Sequence, residues 1–315
     1  MIGLDEYRVV IDDHCFSQCA SLKGYVEFND FQDEVPSDCF TDDVDLVALY
    51  MHQYPKKVGS AAFQGCVAFT NIYVHNLPNW TLEVEEIGIA AFEGTAIAGQ
   101  LSFTNSITTI GDNAFKNCTK LEEVNLDFSG ITRIGTDTFN NCFKMHDIYL
   151  PSTVESIGTS AFQSCSSFEF VHIPSENMSI TLANDAFYNC TSFKNFSKPC
   201  VLKEIGENCF INNKALEINP GKLKGTEVIH EGAFSGCGFV TLTFSPDYVD
   251  MDVKSGAFAD CLDLMCIDFS AFDADNIPNW SGNKLFESIK KNGTIRVSAA
   301  MFETTDPVVP SANWL

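Results

Sequence analysis

Positive charge is scarce in this chain. Its 315 residues hold 19 Lys and Arg against 42 Asp and Glu, for a formal net charge of −23 at pH 7. So acidic a surface repels nucleic acid and anionic lipid, which removes both as expected partners; it simply keeps a long molecule soluble or favours a basic partner, solubility being the first reading. Long apolar runs are missing as well. No stretch of 18 consecutive apolar residues occurs, so no membrane-spanning helix is expected. The opening MIGLDEYRVVIDDHCF carries acids early, with no basic stretch ahead of an apolar one, and does not read as a secretory signal.

Recognisable chemistry is lacking too. There is no His-Glu-x-x-His, no Gly-x-Ser-x-Gly, no phosphate loop and no Gly-x-Gly-x-x-Gly. The acidic stretch TDDVD (41–45) lacks the glycine and the distal glutamate of a calcium loop and reads as a solvated bend. No two cysteines stand as Cys-x-x-Cys, the common half of a zinc site. The expectation is therefore no enzyme: no catalytic residue, no metal and no cofactor.

What the chain has in quantity is phenylalanine, 27 residues, and cysteine, 13. Both fall in phase. Residues 110–126 read IGDNAFKNCTKLEEVNL and residues 157–173 read IGTSAFQSCSSFEFVHI. Aligned on the Phe of Ala-Phe, the phrase recurs at Phe16, Phe40, Phe63, Phe92, Phe115, Phe139, Phe162, Phe187, Phe210, Phe234, Phe258 and, weakly, Phe286. The period is 23–25 residues, with insertions near 75–86 and 271–283 and a closing segment over 284–315. Five residues before each Phe stands a branched apolar residue, such as Ile110, Ile134 or Ile157; three after it stands Cys in eight repeats. Apolar residues follow at +6, +9 and +11, as in Leu121, Val124 and Leu126.

The +9 to +11 positions alternate and predict a short strand with one buried face. The Ile-Gly-x-x-Ala-Phe-x-x-Cys part has no alternation. It predicts a turn followed by one helical or 3-10 turn. A single such coil cannot cover its own apolar face, whereas stacked coils bury Phe on Phe and Ile on Ile. The expected fold is an α/β repeat solenoid of about twelve repeats, forming one domain over 1–315. A parallel β-sheet lines its concave face and short helical or 3-10 turns its convex side.

The phrase Ile-Gly-x-x-Ala-Phe-x-x-Cys-x-x-Leu-x-x-Ile-x-Leu-Pro, in register through nearly the whole chain, resembles the BspA-like, or Treponema pallidum-type, leucine-rich repeats. The resemblance implies a non-catalytic, adhesin-like microbial protein, at the cell surface or secreted, that binds host proteins, extracellular matrix or other cells. The absence of a readable signal and the abundance of thiols fit an alternative, a cytoplasmic scaffold or a structural component such as part of a viral or phage appendage.

The in-phase cysteines have three readings. They are small buried side chains suited to a tight bend, disulfides between neighbouring coils, or metal ligands. Asn117 and Asn189 each begin an Asn-x-Thr sequon beside such a Cys and read as products of the repeat itself. Two repeats slip in register, GYVEF after Phe16 and VTLTF after Phe234.

In each strand +8 and +10 point away from the core. Those positions carry the candidate ligand-binding residues Tyr50, Tyr73, Glu123, Asn125, Asp147, Tyr149, Phe170 and His172. The core does not require their aromatic rings, and aromatic groups with a polar edge suit a protein interface. The expected partner is a protein ligand, basic or of the extracellular matrix.

Overall fold

The computed structural model describes residues 11–19, 22–28, 33–74, 81–176, 178–218, 223–244, 251–271, 285–286 and 294–297. The insertion residues 75–80 and 272–283 lie outside these, as does the closing segment apart from 285–286 and 294–297. Contacts divide the chain into two compact units, Met1–Thr153 and Val154–Leu315.

Most coils contribute a strand where alternation predicts one; the coil of Phe210 shows none among its described residues. In the first unit Gly24–Phe28, Leu46–Met51 and Asn71–Val74 pair in parallel. So do Thr81–Leu82, Ala98–Phe103, Lys120–Asn125 and Asp147–Tyr149. Leu121, Val124 and Leu126 turn inward and are fully buried. In the second unit Phe170–His172 pairs with Asn195–Phe196, and Thr241–Thr243, Cys266–Phe269 and Thr294–Val297 form a further parallel set. The Gly24/Tyr25 bulge, with Gly24 at φ +82°, accounts for the slipped GYVEF.

A second parallel sheet was not expected. The branched residue five before each Phe ends a two-residue strand, as in Glu34–Val35, Lys57–Val58, Glu86–Ile87 and Thr109–Ile110. In the second unit it ends the two-residue strands Ser156–Ile157, Val228–Ile229 and Asp252–Val253 and the longer Ser179–Leu182 and Val201–Ile205. The glycine that follows allows close approach of neighbouring coils. A Cβ on Gly111 would stand 2.5 Å from the backbone nitrogen of Ile89.

The helical or 3-10 turns are corrected by the structure. Among the described residues there is no helix, and none is therefore long and apolar enough to cross a membrane. The reason lies in the residues two before and two after each Phe. In all eleven coils from Phe16 to Phe258 both have positive φ, for example Asn113 (60°) and Asn117 (61°), or Gly232 (64°) and Gly236 (67°). A left-handed residue reverses the local winding and stops a right-handed helix. Asn, Asp and Gly fill most of these positions because they tolerate that conformation. Asn117 and Asn189 are thus backbone residues of the turn. The Nδ2 of Asn141 donates to Asn117 Oδ1 and that of Asn212 to Asn189 Oδ1, both at 2.9 Å.

The turns stack by hydrogen bonds between coils. Asn113 N–H donates to Thr136 O at 2.8 Å, Phe115 N–H to Thr138 O at 2.9 Å and Asn117 N–H to Asn140 O at 2.8 Å. The same three bonds recur one coil back, from Ala90 to Asp112, Phe92 to Ala114 and Gly94 to Lys116. Inside them runs the phenylalanine ladder. Successive rings from Phe16 to Phe139 lie 5.3–5.6 Å apart, and those from Phe162 to Phe286 lie 5.3–5.5 Å apart. Phe63 and Phe92, separated by an insertion, keep the spacing at 5.4 Å.

The cysteines of the ladder are free thiols, so the first of the three readings holds for them. Six of the eight donate to the carbonyl of the Phe one coil back: Cys66 to Phe40, Cys118 to Phe92, Cys142 to Phe115, Cys190 to Phe162, Cys237 to Phe210 and Cys261 to Phe234, at 2.8–3.3 Å. Where Asn213 replaces Cys, its Nδ2 donates to Phe187 O at 3.0 Å. The slot demands a small buried donor, and burial pushes the Cys66 and Cys118 thiols up to about 12, so both stay protonated.

Asp43 occupies the same slot in the coil of Phe40 and is 1% exposed. Its Oδ1 accepts from Cys19 N–H at 2.6 Å, while its Oδ2 has no partner. A carboxylate cannot donate as Cys and Asn do; a protonated carboxyl can. Burial, opposed by the Cys19 N–H and aided by the charge of Asp42, leaves this carboxyl raised to about 6. The thiols of Cys39 and Cys66, which also sense its charge, are themselves held protonated by burial.

Two predictions follow from this packing. Phe115→Ala empties a ring site in mid-ladder and is expected to destabilise the first unit by roughly 3–5 kcal/mol in urea denaturation; a loss below about 1 kcal/mol would remove the ring from the core. Asp43→Asn keeps the acceptor and adds the donor. The folded Asp43 pKa lies above its ordinary 3.8, so its proton-linked stability is present below 3.8 and lost as pH rises through about 6. Asp43→Asn should therefore gain about 2 kcal/mol over the parent at pH 7 and little near pH 4, read as paired melting curves. An equal gap at both pH values would refute a buried titrating carboxyl.

Candidate functional site

The inward side chains of the long strands are committed to the core, so what the chain can offer a partner stands on the outer face of those strands. All eight residues picked from the sequence do lie there, each half-buried. They fall into three groups.

The first group is a tyrosine stack. Tyr50 and Tyr73 are register partners on Leu46–Met51 and Asn71–Val74, and their rings stack at 5.0 Å and 23°. Tyr25, which the slipped register had hidden, sets its ring across that of Tyr50 at 5.2 Å and 70° and is 66% exposed. Its partner strand places Glu27 opposite Tyr50. Parallel strands repeat at about 4.8 Å, so equivalent tyrosines on neighbouring strands must meet ring to ring.

The second group is acidic. Glu123 pairs in register with Asp147, and Asn125 with Tyr149. Gln100 Nε2 donates to Glu123 Oε1 at 2.8 Å, and His146 Nδ1 stands 2.7 Å from Asp147 Oδ2. Burial raises the Tyr149 phenol above its ordinary value, and the charges of Glu123, Asp147 and Asp127 add to the rise. Asp127 was not foreseen because it lies past the end of the strand. Asn125 Oδ1 accepts from its N–H at 3.0 Å, which draws the turn back toward the face.

The third group belongs to the second unit. Phe170 and His172 have ring centres 6.0 Å apart. Lys194, which sequence reasoning passed over, holds its ammonium 5.2 Å over the Phe170 ring and 2.5 Å from Glu169 Oε2. A cation over an aromatic face is attracted to it, and here the cation already has a carboxylate. Among the described residues no group of three or more His, Cys, Asp or Glu could hold a metal ion.

The outer face thus offers ring edges, phenol hydroxyls and carboxylates. It can bind by area, hydrogen bonding and charge.

No curated protein matches this chain. Several solved structures do. The pneumococcal vaccine antigen PcpA aligns with a TM-score of 0.53 at 16% identity, over 90% of this chain and 80% of that one. A leucine-rich-repeat protein of T. pallidum aligns with a TM-score of 0.43 at 26% identity, over 56% of this chain and 80% of that one. A leucine-rich cell-surface protein of Faecalibacterium prausnitzii aligns with a TM-score of 0.45 at 16% identity, over 91% and 82%. The model of the BspA-type leucine-rich repeat region matches residues 2–98, 85–217 and 220–307, in six copies. With its coils, ladders and outer face repeating through that span, the chain belongs to the BspA-type leucine-rich repeat family.

Proposed function

We propose that this chain is a non-catalytic, adhesin-like binding protein of a microbial cell surface, and that it takes a basic protein ligand on the outer, concave face of its long strands. The observation that carries this reading is the tyrosine stack. Tyr25, Tyr50 and Tyr73 fill no core space, yet three coils in succession spend an outer position on an aromatic ring. Tyrosine supplies contact area at low entropic cost and is enriched where interfaces concentrate their energy. The net charge of −23 selects for a basic ligand and speeds its approach at low salt. Membership in a leucine-rich repeat family supports a binding role, and the array of about twelve repeats over 1–315 is taken as one binding element. Surface placement is carried over from PcpA, which is named as a vaccine antigen and shares the fold.

A cytoplasmic scaffold is the second reading, favoured by one observation. The described cysteines are free thiols, and those of the ladder act as hydrogen-bond donors in the reduced form. Reduced thiols suit a reducing compartment.

Tyr50→Ala combined with Tyr73→Ala tests the first reading. Surface plasmon resonance against immobilised fibronectin, collagen, laminin and histone should find a ligand that the double variant binds about 2 kcal/mol more weakly. Val67→Ala, a change at a 60% exposed turn residue, should leave that affinity alone. Unchanged affinity in the double variant, with its melting temperature intact, would rule out the tyrosine face.

A further inference from the structure

Phe128 is 76% exposed, the most exposed large apolar side chain among the described residues. The core does not account for it. In the same turn Leu126, Ser129 and Ile131 are the buried positions. Phe128 instead closes one side of an open cavity of about 530 Å³ whose other walls are Ser102, Phe103, Thr104, Asn105 and Asn125. The two phenylalanines supply its apolar part, and the hydroxyls and amides its rim. A cavity of this size with few polar groups suits one or two apolar side chains.

The surroundings are of one sign. Ser102 is the register partner of Asn125, and Asn125 that of Tyr149, so the cavity opens onto the acidic group. Toward the C-terminal ends of these three strands the outer positions are Gln100, Ser102, Glu123, Asn125, Asp147 and Tyr149, with Asp127 at the end of the row; Lys120 is exposed at the opposite end of its strand, beside Ala98. Three carboxylates close enough to act on one phenol form a local negative field beside an apolar recess. A second copy of this acidic chain, a nucleic acid or an anionic membrane would be repelled there.

We propose that the cavity between Phe103 and Phe128 docks an extended basic segment of a partner protein: one apolar side chain enters the recess, and adjacent Arg or Lys side chains meet Glu123, Asp127 and Asp147. The inference rests on the protein-binding reading and names the chemistry and the place of contact within it. Phe128 acts as the anchor, because an exposed ring that becomes covered gains most from burial. The carboxylates set the register and the preference for positive charge.

Panning a phage-displayed library of random dodecapeptides on the whole chain at low salt tests this. Enriched peptides should carry an apolar residue flanked by Arg or Lys. Phe128→Ser should weaken the best of them about tenfold without shifting the melting temperature, because the ring is exposed. Glu123→Gln with Asp127→Asn should weaken it similarly and flatten its salt dependence. Neutral or acidic winners, no enrichment, or an affinity that ignores Phe128→Ser would each overturn the inference. Panning Tyr50→Ala with Tyr73→Ala in parallel separates the two levels. Peptides lost by that variant but kept by Phe128→Ser leave the tyrosine face standing and sink this docking point; peptides kept by both variants sink both.

Discussion

Each coil of this chain must repeat at one distance along the stack, and that distance is set by backbone hydrogen bonds. Parallel strands fix it near 4.8 Å, and the turn bonds from Asn113, Phe115 and Asn117 to the next coil hold the opposite side to the same step. Side chains then have no choice of spacing. Phenylalanine rings tilted to fit that rise lie with centres 5.3–5.6 Å apart, within the range of offset stacking. The 29 residues from Phe63 to Phe92 cover the same ring distance as a coil without an insertion. The close approach at Gly111 belongs to the same constraint, since neighbouring coils come too near for a side chain there.

The step also creates a polar problem and its solution. The carbonyl of each ladder Phe is buried at the bend. It accepts from the N–H three residues on, as from Cys118 to Phe115, and from the side chain of the next coil, as from Cys142 Sγ. A buried acceptor left short costs about 1–3 kcal/mol, so a small donor recurs in this slot; in the coil of Phe92 it is Thr95, whose hydroxyl donates to Phe92 O of its own coil at 2.9 Å. Cysteine fits, asparagine fits, and aspartate fits only with its proton. With ring, thiol and branched residue all fixed by the stack, the chain keeps its freedom on the outer strand face, where Tyr25, Tyr50 and Tyr73 stand, and in the turns beyond the strands, where Phe128 stands.

The sequence made the long strands and the Phe and Cys ladders visible because they recur at fixed offsets with a period of 23–25 residues. The turn was misjudged for a local reason. Lack of alternation was read as one helical turn, while the Asn, Asp and Gly two places on either side of Phe carried the true signal, a pair of left-handed residues. The second sheet escaped notice because strands of two residues, such as Thr109–Ile110, are too short to show any period. On the outer face, Tyr50 and Tyr73 were legible from strand alternation alone. Tyr25 was not, because the Gly24 bulge shifts its register, and neither was Phe128, which belongs to a turn that no strand pattern covers.

The three turn bonds per coil have a consequence of their own. The N–H of Asn113 and the carbonyl of Asp112 belong to one peptide group; the first points to the following coil and the second receives from the preceding one. The same holds for the groups before Phe115 and Asn117, which accept through Ala114 and Lys116. In a sheet such groups alternate and their fields cancel. Here three per coil point the same way, so within each unit their dipoles add as they do in a helix. Within each unit the stack of turns is therefore electrically polar along its axis, its carbonyls facing the N-terminal side and its N–H groups the C-terminal side. The two sides differ in what they attract: donors or cations suit the first, acceptors or anions the second.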